Sequence, residues 1–154
     1  MRKKHYLIIN GPNLNLLSVR EPHIYGSESF ERFFYRVIAP LQEQGIFVDM
    51  YQSNSEGDII DQLHKTLSSE HAVDGVILNA GAYTHTSLAI ADAIAAINTP
   101  VVEVHISHIF RREEIRRTSL IAPVCRGLIS GFGLNSYLLA IHALEEIMEN
   151  YNEQ

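Results

Sequence analysis

The sequence predicts an α/β fold, a five-stranded parallel sheet covered by helices on both faces with the strand order 2-1-3-4-5. Three observations carry this reading. Short apolar runs rich in β-branched residues alternate along the chain with stretches of helical period. Those runs are apolar nearly throughout, the pattern of strands buried on both faces and therefore of a parallel sheet with right-handed helical crossovers. No repeat, linker or low-complexity stretch interrupts the 154 residues, so residues 1–154 read as a single domain.

The first strand falls at about Tyr6–Ile9. The connection after it, about Gly11 to Ser27, is too long for a simple strand-to-helix turn and carries Arg20, Glu21, His23 and Tyr25, which suits a mobile lid. Phe30–Gln44 has apolar residues at 30, 33, 34, 37, 38 and 41 and stops at Gly45, as an amphipathic helix with a C′ glycine would; Pro40 should kink it. A second strand follows at about Ile46–Tyr51. Ser55 with Asp58 three residues on resembles a capping box for a helix with Ile59, Ile60, Leu63 and Leu67 on one face, reaching about Glu70. The third strand is Val73–Leu78, and Thr86 or Ser87 opens an alanine-rich helix to about Asn98. Val101–Ile106 and Gly127–Ser130 complete the sheet, and Leu134–Asn150 forms the last helix. The result is a flavodoxin-like three-layer sandwich.

Composition narrows the function. Eighteen acidic against twelve basic side chains give a net charge of -6, which argues against sequence-independent binding of nucleic acid. Cys125 is the single cysteine, so an internal disulfide and a multi-thiolate metal site are excluded and a reducing, cytoplasmic setting is expected. The basic start Met1-Arg2-Lys3-Lys4 is followed by too short an apolar run for a signal peptide, and no stretch is long enough to span a bilayer.

In open sheets of this kind ligands bind beyond the carboxyl ends of the strands, near the point where strand order reverses. Here those ends carry Asn10-Gly11-Pro12-Asn13, Gln52-Ser53-Asn54, Asn79 to His85, and Glu103-Val104-His105-Ile106-Ser107. The usual motifs fail. Gly131-Phe132-Gly133 lacks the third glycine of a dinucleotide loop, Pro12 disfavours a phosphate loop, and the strand ends carry Asn10 and Asn79 where a phospho-receiver needs acids. No nucleophile elbow exists, no lysine stands at a strand end, and Cys125 reads as a buried inert thiol. An extended strand puts Glu103 and His105 on one face and leaves His108 outside it, so a metal set is not expected. Arg111, Arg112, Arg116 and Arg117 surround Glu113 and Glu114, an ordinary solvated turn unless one arginine meets an anionic or polyhydroxylated ligand.

What remains is Asn13, Arg20, Tyr25, Asn79, His85, Glu103, His105 and Arg116, an inventory for proton transfer. A tyrosine serves as a base near neutral pH only if its pKa falls by roughly three units, about 4 kcal/mol, and an adjacent arginine supplies much of that. His105 could then protonate a leaving hydroxyl. The inventory fits a lyase or isomerase working next to a carbonyl; a flavodoxin-like module that binds a small ligand or flavin without catalysis is the alternative.

Asn10 to Leu17, Arg20-Glu21-Pro22, Tyr25-Gly26, Gln52 to Gly57, Asn79 to Ser87, Glu103 to Ser107 and Arg112-Glu113-Glu114 together resemble the type II 3-dehydroquinate dehydratases, in order, from about residue 5 to 145. The resemblance implies cofactor-independent anti elimination of water from 3-dehydroquinate, through an enolate, to 3-dehydroshikimate in the shikimate pathway. It implies a homo-oligomer, a dodecamer of trimers. By position, Tyr25 would be the base, His105 the acid, Arg20 the stabiliser of the ionised tyrosine, Asn13 a holder of water and Glu103 an orienting carboxylate. Asn79 with the backbone amides of Ile106 and Ser107 would hold the substrate carboxylate, His85 and Arg116 the ring hydroxyls, and Asp92 would approach from a neighbouring subunit. Ser18, His108 and Ala122 depart from the family pattern at positions without a named role.

Overall fold

The computed structural model describes residues 2–17, 19, 23 and 27–152, the last two by backbone alone. Five parallel strands, β1 (Lys4–Asn10), β2 (Ile46–Gln52), β3 (Gly75–Asn79), β4 (Val101–His105) and β5 (Gly127–Ser130), form one sheet in the order β2-β1-β3-β4-β5, as the sequence predicts. The third strand starts two residues later than expected because Asp74 turns its carboxylate to Arg2 and the His5 N–H.

The helical segment α1 changes winding along its length: α-helical over Phe30–Phe33, π-helical over Phe34–Ile38 and 3₁₀ over Ala39–Gln44. The change of winding falls just ahead of Pro40, where the sequence predicts a kink. The Ala39 N–H reaches back to the Phe34 carbonyl, and the wide turn ahead of the proline absorbs its missing donor. Gly45 closes the segment at φ 80°, where a side chain would be strained. Helix α2 (Glu56–Lys65) begins at the Ser55 cap, whose hydroxyl accepts the Asp58 N–H. It ends before the predicted Glu70: from Thr66 onward the N–H groups bond three residues back rather than four, and the Thr66 hydroxyl donates to the Leu63 carbonyl. Helix α3 (Leu88–Ala96) is capped by Ser87, and α4 (Asn135–Asn152) closes the chain.

Side chains alternate across the sheet. Tyr6, Ile8, Ile77, Val102 and Val104 pack on one face against α1 and α4 through Phe30, Phe33, Tyr137 and Ile141. Ile9, Val76, Leu78 and Val101 pack on the other against α2 and α3 through Ile59, Leu63, Ile90 and Ile94. Each such side chain, withdrawn from water, is worth roughly 1.5–3 kcal/mol. That two-sided core fixes the strands, and so fixes what their carboxyl ends hold. Among the described residues no helix is long and apolar enough to cross a membrane.

Candidate active site

At the carboxyl ends of β1 and β3 the loops approach closely. A Cβ on Gly11 would stand 2.6 Å from the Ala80 carbonyl oxygen, and Gly81, at φ 59°, packs on Pro12. The two loops and the segment after β4 enclose a cavity at the reversal of strand order, lined by Asn13, Asn79, His85, His105, Ile106, Ser107, Arg112 and Arg116 among others.

β4 supplies its chemistry. Residues 101, 103 and 105 share one face, so the strand carries Glu103 and His105 side by side where the apolar layer gives way to the cavity. Glu103 is fully buried, and its Oε2 lies 2.5 Å from His105 Nε2. A carboxylate only accepts, so this ring nitrogen carries the proton and Nδ1 is the one that faces a ligand. The Ser119 hydroxyl forks to both Glu103 oxygens at 2.9 and 3.0 Å. An uncompensated buried carboxylate would cost several kcal/mol; these donors offset that.

The other groups are held as firmly. His85 ends a 3₁₀ turn after β3, and its Nδ1–H donates to the Thr118 carbonyl at 2.7 Å, which leaves Nε2 as an acceptor; its ring lies 6.4 Å from that of His105. Asn79, 3% exposed, donates from Nδ2 to the Tyr137 hydroxyl at 2.9 Å and accepts the Gly81 N–H on Oδ1. Tyr137 in turn donates to Asn10 Oδ1 at 2.7 Å. Asn13 sits in the left-handed region at φ 68°, its N–H bonded to Asn54 Oδ1. Arg116 binds Glu113 at 2.6 Å, and this ion pair holds the Glu113 carboxyl below its usual range. Burial, then the Glu103 charge, push the Cys125 thiol up to about 12.

Of the residues predicted from sequence, Asn13, Asn79, His85, His105, Ile106, Ser107 and Arg116 line this one cavity, with Glu103 behind them. Asp92 is exposed on α3 and does not line it. Arg20 and Tyr25, with Ser18, lie outside the described residues. His108 is exposed, off the Glu103–His105 face. The arginine cluster is two 3₁₀ turns, Ile109–Arg111 and Glu114–Arg116, rather than one helical turn, and it brings both Arg112 and Arg116 to the cavity. Sequence reasoning singled out neither Ser119 nor Tyr137. Among the described residues no three His, Cys, Asp or Glu side chains form a metal-binding group.

Comparison with known proteins identifies the family and the fold. Residues 4–145 match the family model described as dehydroquinase class II. The chain is 53% identical over 146 residues to the 3-dehydroquinate dehydratase of Caldicellulosiruptor bescii, covering 95% of this chain and 99% of that protein. Its fold superposes on the crystal structure of the type II dehydroquinase from Butyrivibrio crossotus with a TM-score of 0.88 at 44% identity, covering 93% of this chain and 98% of that one. The type II dehydroquinase from Propionibacterium acnes gives a TM-score of 0.85 at 37% identity, covering 93% and 97%.

Proposed function

The chain belongs to the class II dehydroquinase family, and from that premise we propose that it is a hydro-lyase that removes water from 3-dehydroquinate to give 3-dehydroshikimate, with Tyr25 as base and His105 as acid. The observation that carries the reading is the carboxylate-held imidazole of His105 opening into a cavity of amides and cations. The base takes the proton from the carbon beside the ketone, and the electron pair forms an enolate. The enolate then collapses, the carbon–oxygen bond to the hydroxyl β to the ketone breaks, and His105 Nδ1 gives the departing oxygen its proton. Water and a conjugated enone result, with no net redox change.

By family position Arg20 would favour the Tyr25 phenolate, and Asn13 would hold the water that stabilises the enolate oxygen. Asn79 and the amides of Ile106 and Ser107 take the substrate carboxylate, while His85 Nε2 and Arg116 take ring hydroxyls. In this reading no cofactor or metal takes part, and the enzyme works in the cytoplasm on the shikimate pathway. It assembles as a dodecamer of trimers in which Asp92 serves a neighbour's cavity. Asp92 shares the outer face of α3 with Leu88, four residues away and 67% exposed, which suits a subunit contact. The test is direct: the enone absorbs in the ultraviolet, so purified protein given 3-dehydroquinate should raise absorbance. No rise with a folded, oligomeric preparation would overturn the reading.

A further inference from the structure

We infer that Ser119 is a positioning residue for the His105 acid, holding the Glu103 carboxylate and, through it, the imidazole; the inference rests on the reading of His105 proposed above. Ser119 stands on a strap between β4 and β5 that is tied down on both sides. Thr118 accepts the His85 Nδ1–H, and the Leu120 N–H donates to the Thr84 carbonyl at 2.9 Å. The Ser119 Oγ also accepts the Ala122 N–H at 3.0 Å. The ionised carboxylate only accepts, so the hydroxyl gives it its one proton, spanning both oxygens, while an Oγ lone pair takes the Ala122 N–H. Glu103 is therefore gripped from two directions, by Ser119 on one side and by His105 Nε2 on the other.

The grip has a chemical consequence. A donor to the charged carboxylate draws negative charge away from the imidazole and favours the ionised form of Glu103. Without it, Glu103 binds a proton more tightly and stabilises the imidazolium more strongly, so both effects move the titration of the pair to higher pH. An acid that holds its proton more tightly, on a carboxylate free to turn, delivers that proton less well. Among the described residues the other charged or titratable groups near the pair are His85 after β3, Arg112 and Arg116 after β4, with Glu113 on Arg116, and Cys125 ahead of β5; Ser119→Ala replaces none of them.

The experiment measures kcat and KM against pH for the full-length enzyme carrying Ser119→Ala, Ser119→Thr, Glu103→Gln and the Glu103→Gln/Ser119→Ala pair, with melting temperatures alongside. Ser119→Ala should lower kcat about tenfold, the loss of one hydrogen bond to a charged group, with KM changed less than about twofold. Its alkaline limb should move to higher pH. Ser119→Thr keeps the hydroxyl and should restore both. In the Glu103→Gln background Ser119→Ala should add no further loss in kcat, which separates positioning from a general loosening of the strap. An unmoved alkaline limb, a rise in KM alone, or additive losses in the pair would overturn the inference. Full turnover in His105→Ala would remove the reading beneath it, whereas an inactive His105→Ala with an unaffected Ser119→Ala would remove the role of Ser119 alone.

Discussion

Glu103 Oε2 and His105 Nε2 are 2.5 Å apart across a single intervening residue of β4, with the carboxylate withdrawn wholly from water. The pairing follows from the two-residue period of a strand, and it fixes which ring nitrogen faces the cavity. The site therefore gets its carboxylate-held imidazole from backbone geometry, and the loops supply what surrounds it.

If His105 is the acid, Glu103→Gln should lower kcat by about a hundredfold while leaving KM within a few-fold, because the amide no longer fixes the ring and its tautomer for proton transfer as the carboxylate does. Without the carboxylate charge the imidazolium gives up its proton more readily, so the alkaline limb of the rate should move to lower pH. This direction is opposite to the one expected for Ser119→Ala. Steady-state rates between about pH 5 and 10 check the direction.

Arg116→Ala should act on binding. The guanidinium reaches the cavity wall while bonded to Glu113, whose carboxyl that bond holds below its ordinary range. A depressed carboxyl stabilises its ion pair above the ordinary carboxylate pKa and loses that contribution as pH falls through the lower, folded value, so the pair is intact throughout a neutral assay. If Arg116 takes a ring hydroxyl of the substrate, losing that charge-assisted hydrogen bond should raise KM roughly ten- to a hundredfold with a smaller change in kcat. Arg116→Lys should fall between, keeping the charge without the planar fork.

Most of the architecture was legible because it depends on local signals: five apolar runs become the five strands within a residue or two of their expected bounds, the Ser55 cap and the Gly45 stop stand where the sequence puts them, and of Thr86 and Ser87 it is Ser87 that caps α3. The change of winding before Pro40 and the early end of α2 were not, since each is settled by where a few N–H groups find acceptors in three dimensions. At the site, strand ends and family resemblance identified most cavity residues. Ser119 and Tyr137 escaped both. Ser119 lies in an irregular strap with no period to read, and Tyr137 falls at a core position of α4, where its ring conceals a hydroxyl with a polar task.

Cys125 should be a slow thiol. With its pKa pushed up to about 12, chiefly by burial, its thiolate at pH 8 is rarer by about three orders of magnitude than that of an ordinary cysteine near 8.5. Reaction with a thiol reagent at pH 8 should be slow in the folded protein and fast after denaturation. The folded pKa lies above the unfolded one, so the stability it contributes is complete below about pH 8.5 and is lost as pH rises toward the folded value. Tyr6 and Tyr137 are shifted upward as well, both chiefly by burial, and should add to the loss above pH 10. Chemical denaturation at pH 8 and pH 10.5 should therefore show a clear fall in stability at the higher pH; equal stability would contradict the burial of these groups.

Tyr137→Phe tests whether the interior network orients the substrate site. Asn10 and Asn79 are register partners on β1 and β3, and the Tyr137 hydroxyl joins them, accepting from one amide and donating to the other. With Asn79 Oδ1 taken by the Gly81 N–H, the hydroxyl fixes the remaining freedom of that amide and so the direction in which its second N–H meets a carboxylate. Phenylalanine keeps the ring in the apolar layer and leaves two buried amide groups short of a partner, at a cost of about 1–3 kcal/mol in stability. If Asn79 holds the substrate carboxylate, KM should rise several-fold while kcat changes less, and the pH dependence of the rate should stay as it is, because the network lies on the opposite face of the sheet from Glu103. A destabilised enzyme with unchanged KM would show that the network serves the fold alone.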